Sequence, residues 1–459
     1  VSKIFENKPI FENNIFNCLI WASKYYHHPI GEVFQTFTPN LLRNDKKSLP
    51  NIDDSSINDY NVNVNDMHQD LTASQTKAIK NINIDKEFNI SLLHGVTGSG
   101  KTEVYLNLVS SIINKNQAAL ILVPEINLTP QLHKVFSARF NGEIGLYHSK
   151  QTPLQRFKVW SKARSGNIRI VIGTRSAIMN PILNLGLIII DEEHDQSFKQ
   201  SEGFKFSARE LGIKRAQKES IPILLGSATP SLSVLKLVEE NKITKINMSE
   251  RVDGRKPPSL IILDINNKKL TSGIAQESLE AIDKTLKENK QVLIFINRRG
   301  FAPMLQCNSC GWTAECSACE SNLVYHKERN RLICHRCESA YGKPELCPNC
   351  ASGQIELLGL GTEKVEDYLA RTFPDVNTIR IDQDSTKKKN SMNEIYEQLN
   401  NSGPAILVGT QMLAKGHDFN NVALTLVINA DNGLISPEIN ALEKVSQLLL
   451  QVSGRAGRK

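Results

Sequence analysis

Gly95-Val96-Thr97-Gly98-Ser99-Gly100-Lys101-Thr102 fills every fixed position of the phosphate-loop pattern. The apolar run Ile90–Leu93 precedes it and a helix-forming stretch follows, which is the context that pattern needs. Glycines let the backbone wrap phosphates, while amides at a helix N-terminus meet their negative charge. Residues Gly95, Val96, Thr97, Gly98, Ser99, Gly100, Lys101 and Thr102 are therefore the expected cradle for ATP. Lys101 is expected to bridge the β- and γ-phosphates and Thr102 to ligate Mg²⁺.

The segments on either side fix the class of fold. Ile90–Leu93, Ala118–Val123, Ile168–Ile172, Leu187–Ile190 and Ile221–Leu225 are short, nearly continuous apolar runs separated by longer helical stretches. Such runs predict strands of a parallel sheet covered on both faces. A second set, Val292–Ile296, Ala405–Val408 and Val422–Ile428, predicts a second α/β domain in tandem. Residues 51–70 carry five Asp, five Asn and no Lys or Arg, and read as a flexible acidic linker.

The fourth run leads directly into Asp191-Glu192-Glu193-His194. A strand ending in carboxylates, about 90 residues after the phosphate loop, puts the first of them at the sheet's C-terminal edge. Asp191 is expected to hold Mg²⁺ and Glu192 to orient and deprotonate the attacking water. Near the end, Gln451-Val452-Ser453-Gly454-Arg455-Ala456-Gly457-Arg458 sets two arginines three residues apart. On one helix face, Arg455 and Arg458 would act as arginine fingers.

Composition bounds the rest. The 459 residues, 40% hydrophobic and 22% charged, predict two to four globular domains. No run of about 20 apolar residues predicts a membrane-spanning helix, and no signal peptide follows Val1. The net charge of +7 is compatible with a polyanionic partner but does not select one. Eight of the nine cysteines form four Cys-x-x-Cys pairs between residues 307 and 350, which predicts metal ligation in a reducing compartment. Spacers of five, fourteen and nine residues separate the pairs. Eight thiolates make two four-sulfur zinc sites, with iron–sulfur ligation as the rival. Spacing does not settle the pairing, although the fourteen-residue spacer favours an inner site of Cys316, Cys319, Cys334 and Cys337, leaving Cys307, Cys310, Cys347 and Cys350 outside. Trp312 is expected over a zinc knuckle, His326 and His335 as exposed polar residues, and Cys18, among Phe16, Leu19 and Ile20, as core.

These elements, in this order, resemble superfamily-two helicases. Gly226-Ser227-Ala228-Thr229-Pro230 is similar to the family's Ser-Ala-Thr motif, and Gly173-Thr174-Arg175 and Gly409-Thr410-Gln411-Met412 to its DNA-backbone motifs. Pro124–Gln131, Asp191–Gln200, Asn297-Arg298-Arg299-Gly300, Gly409–Phe419, Trp21–Gly31 and the four Cys pairs together resemble the primosomal replication restart helicases. The resemblance implies two tandem RecA-like parallel-sheet domains, the second with an inserted binuclear zinc module, plus a partial N-terminal DNA-binding domain. It divides the chain into residues 1–43 (DNA-binding), 44–70 (linker), 71–250 (first motor domain), 251–304 with 353–459 (second motor domain) and 305–352 (zinc module). It supports the pairing of the cysteines just given.

The implied activity is ATP-dependent 3′–5′ DNA unwinding at stalled or abandoned forks, with Mg²⁺ and two Zn²⁺ per chain. The implied partners are forked and single-stranded DNA, primosome proteins, single-strand-binding protein, and the replicative helicase with its loader. The implied setting is a bacterial cytoplasm, beside the nucleoid and away from any membrane. Thr174, Arg175, Thr410 and Gln411 are expected on the DNA backbone. In Phe198–Phe206 the rings of Phe198, Phe204 and Phe206 are expected to stack on bases while Lys199 and Lys205 neutralise phosphates, with one or two of the rings packed in the core as the alternative. A duplex translocase of the restriction or remodelling type and a fork-binding scaffold with little dependence on hydrolysis are the rival readings. The family's Asp-Phe-Arg reads Glu438-Ile439-Asn440 here. The winged helix, half of the N-terminal domain and the C-terminal domain have no counterpart, so the resemblance implies a chain truncated at both ends.

Overall fold

The structure, a computed structural model, describes residues 9–43, 63–64, 70–85, 87–124, 129–254, 258–265, 268, 270–296, 304–307, 309–319, 322–326, 329–334, 336–353, 355–358, 362–381, 403–410, 421–433 and 440–454. They fall into two compact units that divide after Gly254.

The first unit is built on seven parallel strands: β1 (Ile90–Gly95), β2 (Ala118–Leu122), β3 (Ile144–Tyr147), β4 (Ile170–Gly173), β5 (Leu185–Asp191), β6 (Ile223–Ser227) and β7 (Thr244–Met248). Their order across the sheet is β3-β4-β2-β5-β6-β1-β7. Alternate residues of the central strands enter opposite cores. Leu120, Leu122, Ile188, Ile190 and Leu225 join one, and Ala119, Ile121, Leu187, Ile189 and Leu224 the other. Two buried faces explain why these strands read as unbroken apolar runs, each fully buried Leu or Ile contributing about 1.5–3 kcal/mol.

Helices α1 (Asn13–Tyr25) and α2 (Ile30–Phe37) share the first of these cores. Ile15, Cys18, Leu19 and Ala22 of α1 are buried there, as expected for Cys18. Next come α3 (Ala73–Asn81), α4 (Lys101–Asn114), α5 (Thr129–Arg139), α6 (Pro153–Ser165) and α7 (Ala208–Glu219). Thr72 and Gln75 close a reciprocal capping box that starts α3. Within the expected linker, Asn63-Val64 pairs antiparallel with Phe140-Asn141; residues 44–62 and 65–69 lie outside the described residues.

The second unit carries four parallel strands, β8 (Gln291–Ile296), β9 (Asn377–Ile381), β10 (Ala405–Gly409) and β11 (Val422–Ile428), in the order β9-β10-β8-β11. Ile294 and Ile296 face one core, Leu293 and Phe295 the other. Between β8 and β9 the chain leaves for a small antiparallel module. Met304–Cys307 pairs there with Ile355–Leu358, and Val324–His326, Arg331–Ile333 and Ala340–Gly342 form a three-stranded sheet. No described helix is long and apolar enough to cross a membrane.

Candidate ATPase site and thiolate quartets

The phosphate loop joins β1 to the N-terminus of α4. Gly100 adopts φ 78°, and a Cβ there would overlap the Gln75 amide, so glycine is required. Gln75 Nε2 donates to Gly100 O at 3.3 Å, and its Oε1 accepts from Thr72 N–H. Gln75 therefore ties α3 to the loop, a role that the Thr-x-x-Gln capping signal hints at but sequence reasoning missed. Behind the loop, Val96 N–H donates to Met248 O and Val252 N–H to Gly98 O, both at 3.0 Å. Lys101 Nζ donates to Gly95 O at 3.0 Å, an internal partner that a phosphate oxygen can replace.

Asp191 ends β5 on the same edge of the sheet. Its Oδ1 accepts from Tyr105 Oη at 2.8 Å. Burial, reinforced by the adjacent Glu192, pushes its carboxyl up to about 6. Glu192 sits in the left-handed region at φ 49°, a conformation costing about 1–3 kcal/mol that neighbouring bonds must hold. Those bonds run from Glu193 N–H to Gly226 O and from Asp195 N–H to Glu192 O.

The next two residues do structural work. Glu193, 2% exposed, accepts from Arg209 Nη1 at 2.6 Å, Ser231 N–H at 2.7 Å and Ser231 Oγ at 3.0 Å. His194 lies 2.8 Å through Nδ1 from Ser227 Oγ and 3.3 Å through Nε2 from Thr229 Oγ1. The acidic turn is thereby wired into Ser227-Ala228-Thr229, the segment similar to the family's Ser-Ala-Thr motif.

The aromatic loop corrects an expectation. Phe198, Phe204 and Phe206 are 2%, 4% and 2% exposed, so none of the rings can stack on a base as it stands. Phe206 packs on Phe37 of α2, and Phe204 on Tyr26 and His28 just before it. Lys199 and Lys205 are exposed. Arg175 donates to Ser197 O at 2.8 Å and Lys199 O at 3.3 Å, holding the start of this loop. Thr174 and Thr410 are nearly buried at the ends of β4 and β10. Gln411, Arg455, Arg458, His335 and 297–300 lie outside the described residues, as do 125–128 and 438–439.

In the second unit, the cysteines gather into the two quartets that the spacing favoured: Cys307, Cys310, Cys347, Cys350 and Cys316, Cys319, Cys334, Cys337. Within each, all four Sγ atoms lie within 4.8 Å of one another, with cross-pairs at 3.4–3.6 Å. A tetrahedral ion at a Zn–S distance of about 2.3 Å needs edges of roughly 3.8 Å, so the donor sets fit zinc. Trp312 is partly buried against the module's core cluster, which includes Cys316, Leu332 and Cys334. Tyr341 Oη is 3.2 Å from Cys316 Sγ, and Asn349 Nδ2 donates to Cys310 Sγ at 3.5 Å, outer partners of the kind that orient metal ligands.

Comparison with known proteins agrees with this geometry. Residues 72–238 match the DEAD/DEAH box helicase family, and residues 350–459 the helicase conserved C-terminal domain. The fold is similar to that of the DEAD-box helicase Mss116 bound to ssRNA and UDP-BeF, with a TM-score of 0.50 and 18% identity over 84% of this chain and 68% of that one. The class that these two matches give is that of helicase domains: residues 72–238 are similar to the DEAD/DEAH box domain and residues 350–459 to the helicase C-terminal domain.

Two further matches are narrower: residues 316–340 to the PriA DNA helicase Cys-rich region domain, and residues 1–39 to the 3′ DNA-binding domain. Replication restart protein PriA of Rickettsia conorii is 34% identical over 449 residues, 97% of this chain and 68% of that protein. That of Haemophilus influenzae is 44% identical over 388 residues, 84% of this chain and 53% of its own length. The chain belongs to the replication restart protein PriA family. It spans about half the length of the Haemophilus influenzae and Bacillus subtilis relatives that it matches.

Proposed function

We propose that the chain is the motor of an ATP-dependent 3′–5′ DNA helicase. It would act on forked and single-stranded DNA at stalled or abandoned replication forks, where primosome assembly reloads the replicative helicase. The observation that carries this reading is the wiring of one sheet edge. Lys101 of the phosphate loop bonds Gly95 O, Asp191 ends the acidic strand on the same edge with Glu192 next to it, and His194 lies within hydrogen-bond distance of Ser227 and Thr229.

In this reading Lys101 binds phosphate, and Thr102 with Asp191 holds Mg²⁺, which would neutralise charge developing on the phosphates. Glu192 takes the proton from water. Arg455 and Arg458 complete the site as fingers. Each thiolate quartet holds one Zn²⁺, whose role is to shape the module. Exposed Lys199 and Lys205, with Thr174, Arg175, Thr410 and Gln411, meet the DNA backbone. Primosome proteins, single-strand-binding protein and the replicative helicase with its loader are the proposed protein partners, met in the bacterial cytoplasm.

The test is ATP turnover with and without single-stranded DNA, and unwinding of forked duplexes carrying either a 3′ or a 5′ loading tail. Stimulation by DNA and unwinding from the 3′ tail, both abolished by Lys101→Ala, are expected. ATP turnover indifferent to DNA would overturn the reading.

A further inference from the structure

Tyr105 lies on α4 one turn beyond Thr102, with its side chain fully buried. Its hydroxyl ends on Asp191 Oδ1 at 2.8 Å. The space for that hydroxyl exists because residue 226 has no side chain. Asp191 and Gly226 are register partners across β5 and β6. A Cβ on Gly226 would overlap Tyr105 Oη, approach its Cζ to 2.9 Å and stand 3.4 Å from Asp191 Oδ1. Three elements, the phosphate-loop helix, the acidic strand and the Ser-Ala-Thr strand, therefore converge on one oxygen atom.

Packing alone does not call for this arrangement. Phenylalanine would fill the same apolar volume without burying a hydroxyl, and a larger residue at 226 could then occupy the slot. What the hydroxyl adds is a donor to a charged acceptor, a hydrogen bond stronger than a neutral one. Together with a backbone hydrogen bond from Glu192, this bond restrains rotation of the carboxylate, whose oxygens keep further lone pairs for another ligand.

We infer that Tyr105 is a positioning residue for Asp191: its hydroxyl fixes the carboxylate in the orientation that receives a nucleotide-bound divalent cation, and Gly226 is glycine to admit it. This rests on the ATP-hydrolysis reading above. Tyr105 is fully buried behind Asp191 and acts only through the carboxylate.

The experiment uses the full chain and Tyr105→Phe, with a fluorescent ATP analogue titrated with and without Mg²⁺ and turnover measured across Mg²⁺ concentrations. Tyr105→Phe is expected to raise the Mg²⁺ concentration for half-saturation about tenfold, in line with loss of one hydrogen bond to a charged group. Analogue binding without Mg²⁺ should stay within about twofold of wild type, and the turnover deficit should shrink at saturating Mg²⁺. An unchanged Mg²⁺ requirement overturns the inference, and so does an equal loss of metal-free binding, which would mark a merely structural role.

Gly226→Ala should impair both measurements, and adding Tyr105→Phe should recover part of the loss by removing the overlapping atom. A double variant no better than Gly226→Ala alone overturns the role given to the glycine. Wild type that binds the analogue without any Mg²⁺ effect would instead sink the parent reading.

Discussion

Glu192 and Glu193 are adjacent acids whose surroundings assign them opposite duties, and exchanging each for glutamine should separate them. The Glu193 side chain is fully buried, and its partner Arg209 is 19% exposed at 2.6 Å. Glu193→Gln keeps the volume, and its amide oxygen can still accept from Ser231 N–H. The amide nitrogen must then face the Arg209 donors, leaving a largely buried guanidinium without its counter-charge. Breaking a buried pair in this way costs about 3–5 kcal/mol. For a unit of this size, roughly 2–4 °C is lost per kcal/mol, so Tm should fall by about 6–20 °C. Glu192 is 29% exposed, and its Oε2 lies 3.6 Å from His194 Nδ1. Glu192→Gln should leave stability within about 0.5 kcal/mol while lowering ATP turnover by about 10²- to 10⁴-fold. Calorimetry gives Tm, and turnover per folded molecule is measured below the lower transition. If Glu193→Gln kept wild-type Tm and abolished turnover, the assignment of Glu193 to structure would be refuted.

Three other outcomes follow from the two sites. Burial raises Asp191 from 3.8 to about 6, so at sub-saturating Mg²⁺ turnover should fall below about pH 6 as the carboxylate gains a proton. In the nucleotide-free protein the folded state holds that proton more tightly than the unfolded chain. Wild type should therefore gain Tm relative to Asp191→Asn between pH 7 and 4, as calorimetry across that range would show. For the metal module, elemental analysis should find two zinc ions per chain and one fewer in Cys334→Ser, with the melting of the first unit unchanged. Iron in place of zinc, or two ions retained, would contradict the quartets as assigned.

Much of this was legible in the sequence. Strands buried on both faces announce themselves, as Ala118–Leu122 and Leu185–Asp191 did, because every position must be apolar. Edge and interrupted strands do not. Thr244–Met248 borders the sheet and alternates exposed with buried residues. Asn377–Ile381 is half-exposed at the other sheet's edge, and Gly145 breaks the apolar run of Ile144–Tyr147. The thiolate quartets were readable because their ligands come in local pairs. The burial of the aromatic loop was not decided by the sequence, because alternating Phe and Lys suits a base-stacking surface and a one-sided buried ribbon equally well. Gln200 N–H donating to Phe206 O shows that it folds back as the ribbon. Tyr105, Gly226 and the Glu193–Arg209 pair escaped because their meaning lies in encounters between distant segments.

The shared core of α1, α2 and the first sheet has a mechanical consequence. Phe11 meets Trp160, and Phe37 meets Phe204 and Phe206, so among the described residues the N-terminal helices and the body that holds the phosphate loop share one packed core. Whatever those helices grip is carried as fixed cargo, displaced by every movement of that body. The aromatic loop is the clamp on that joint: freeing Phe204 would loosen Tyr26, His28 and Phe37 together.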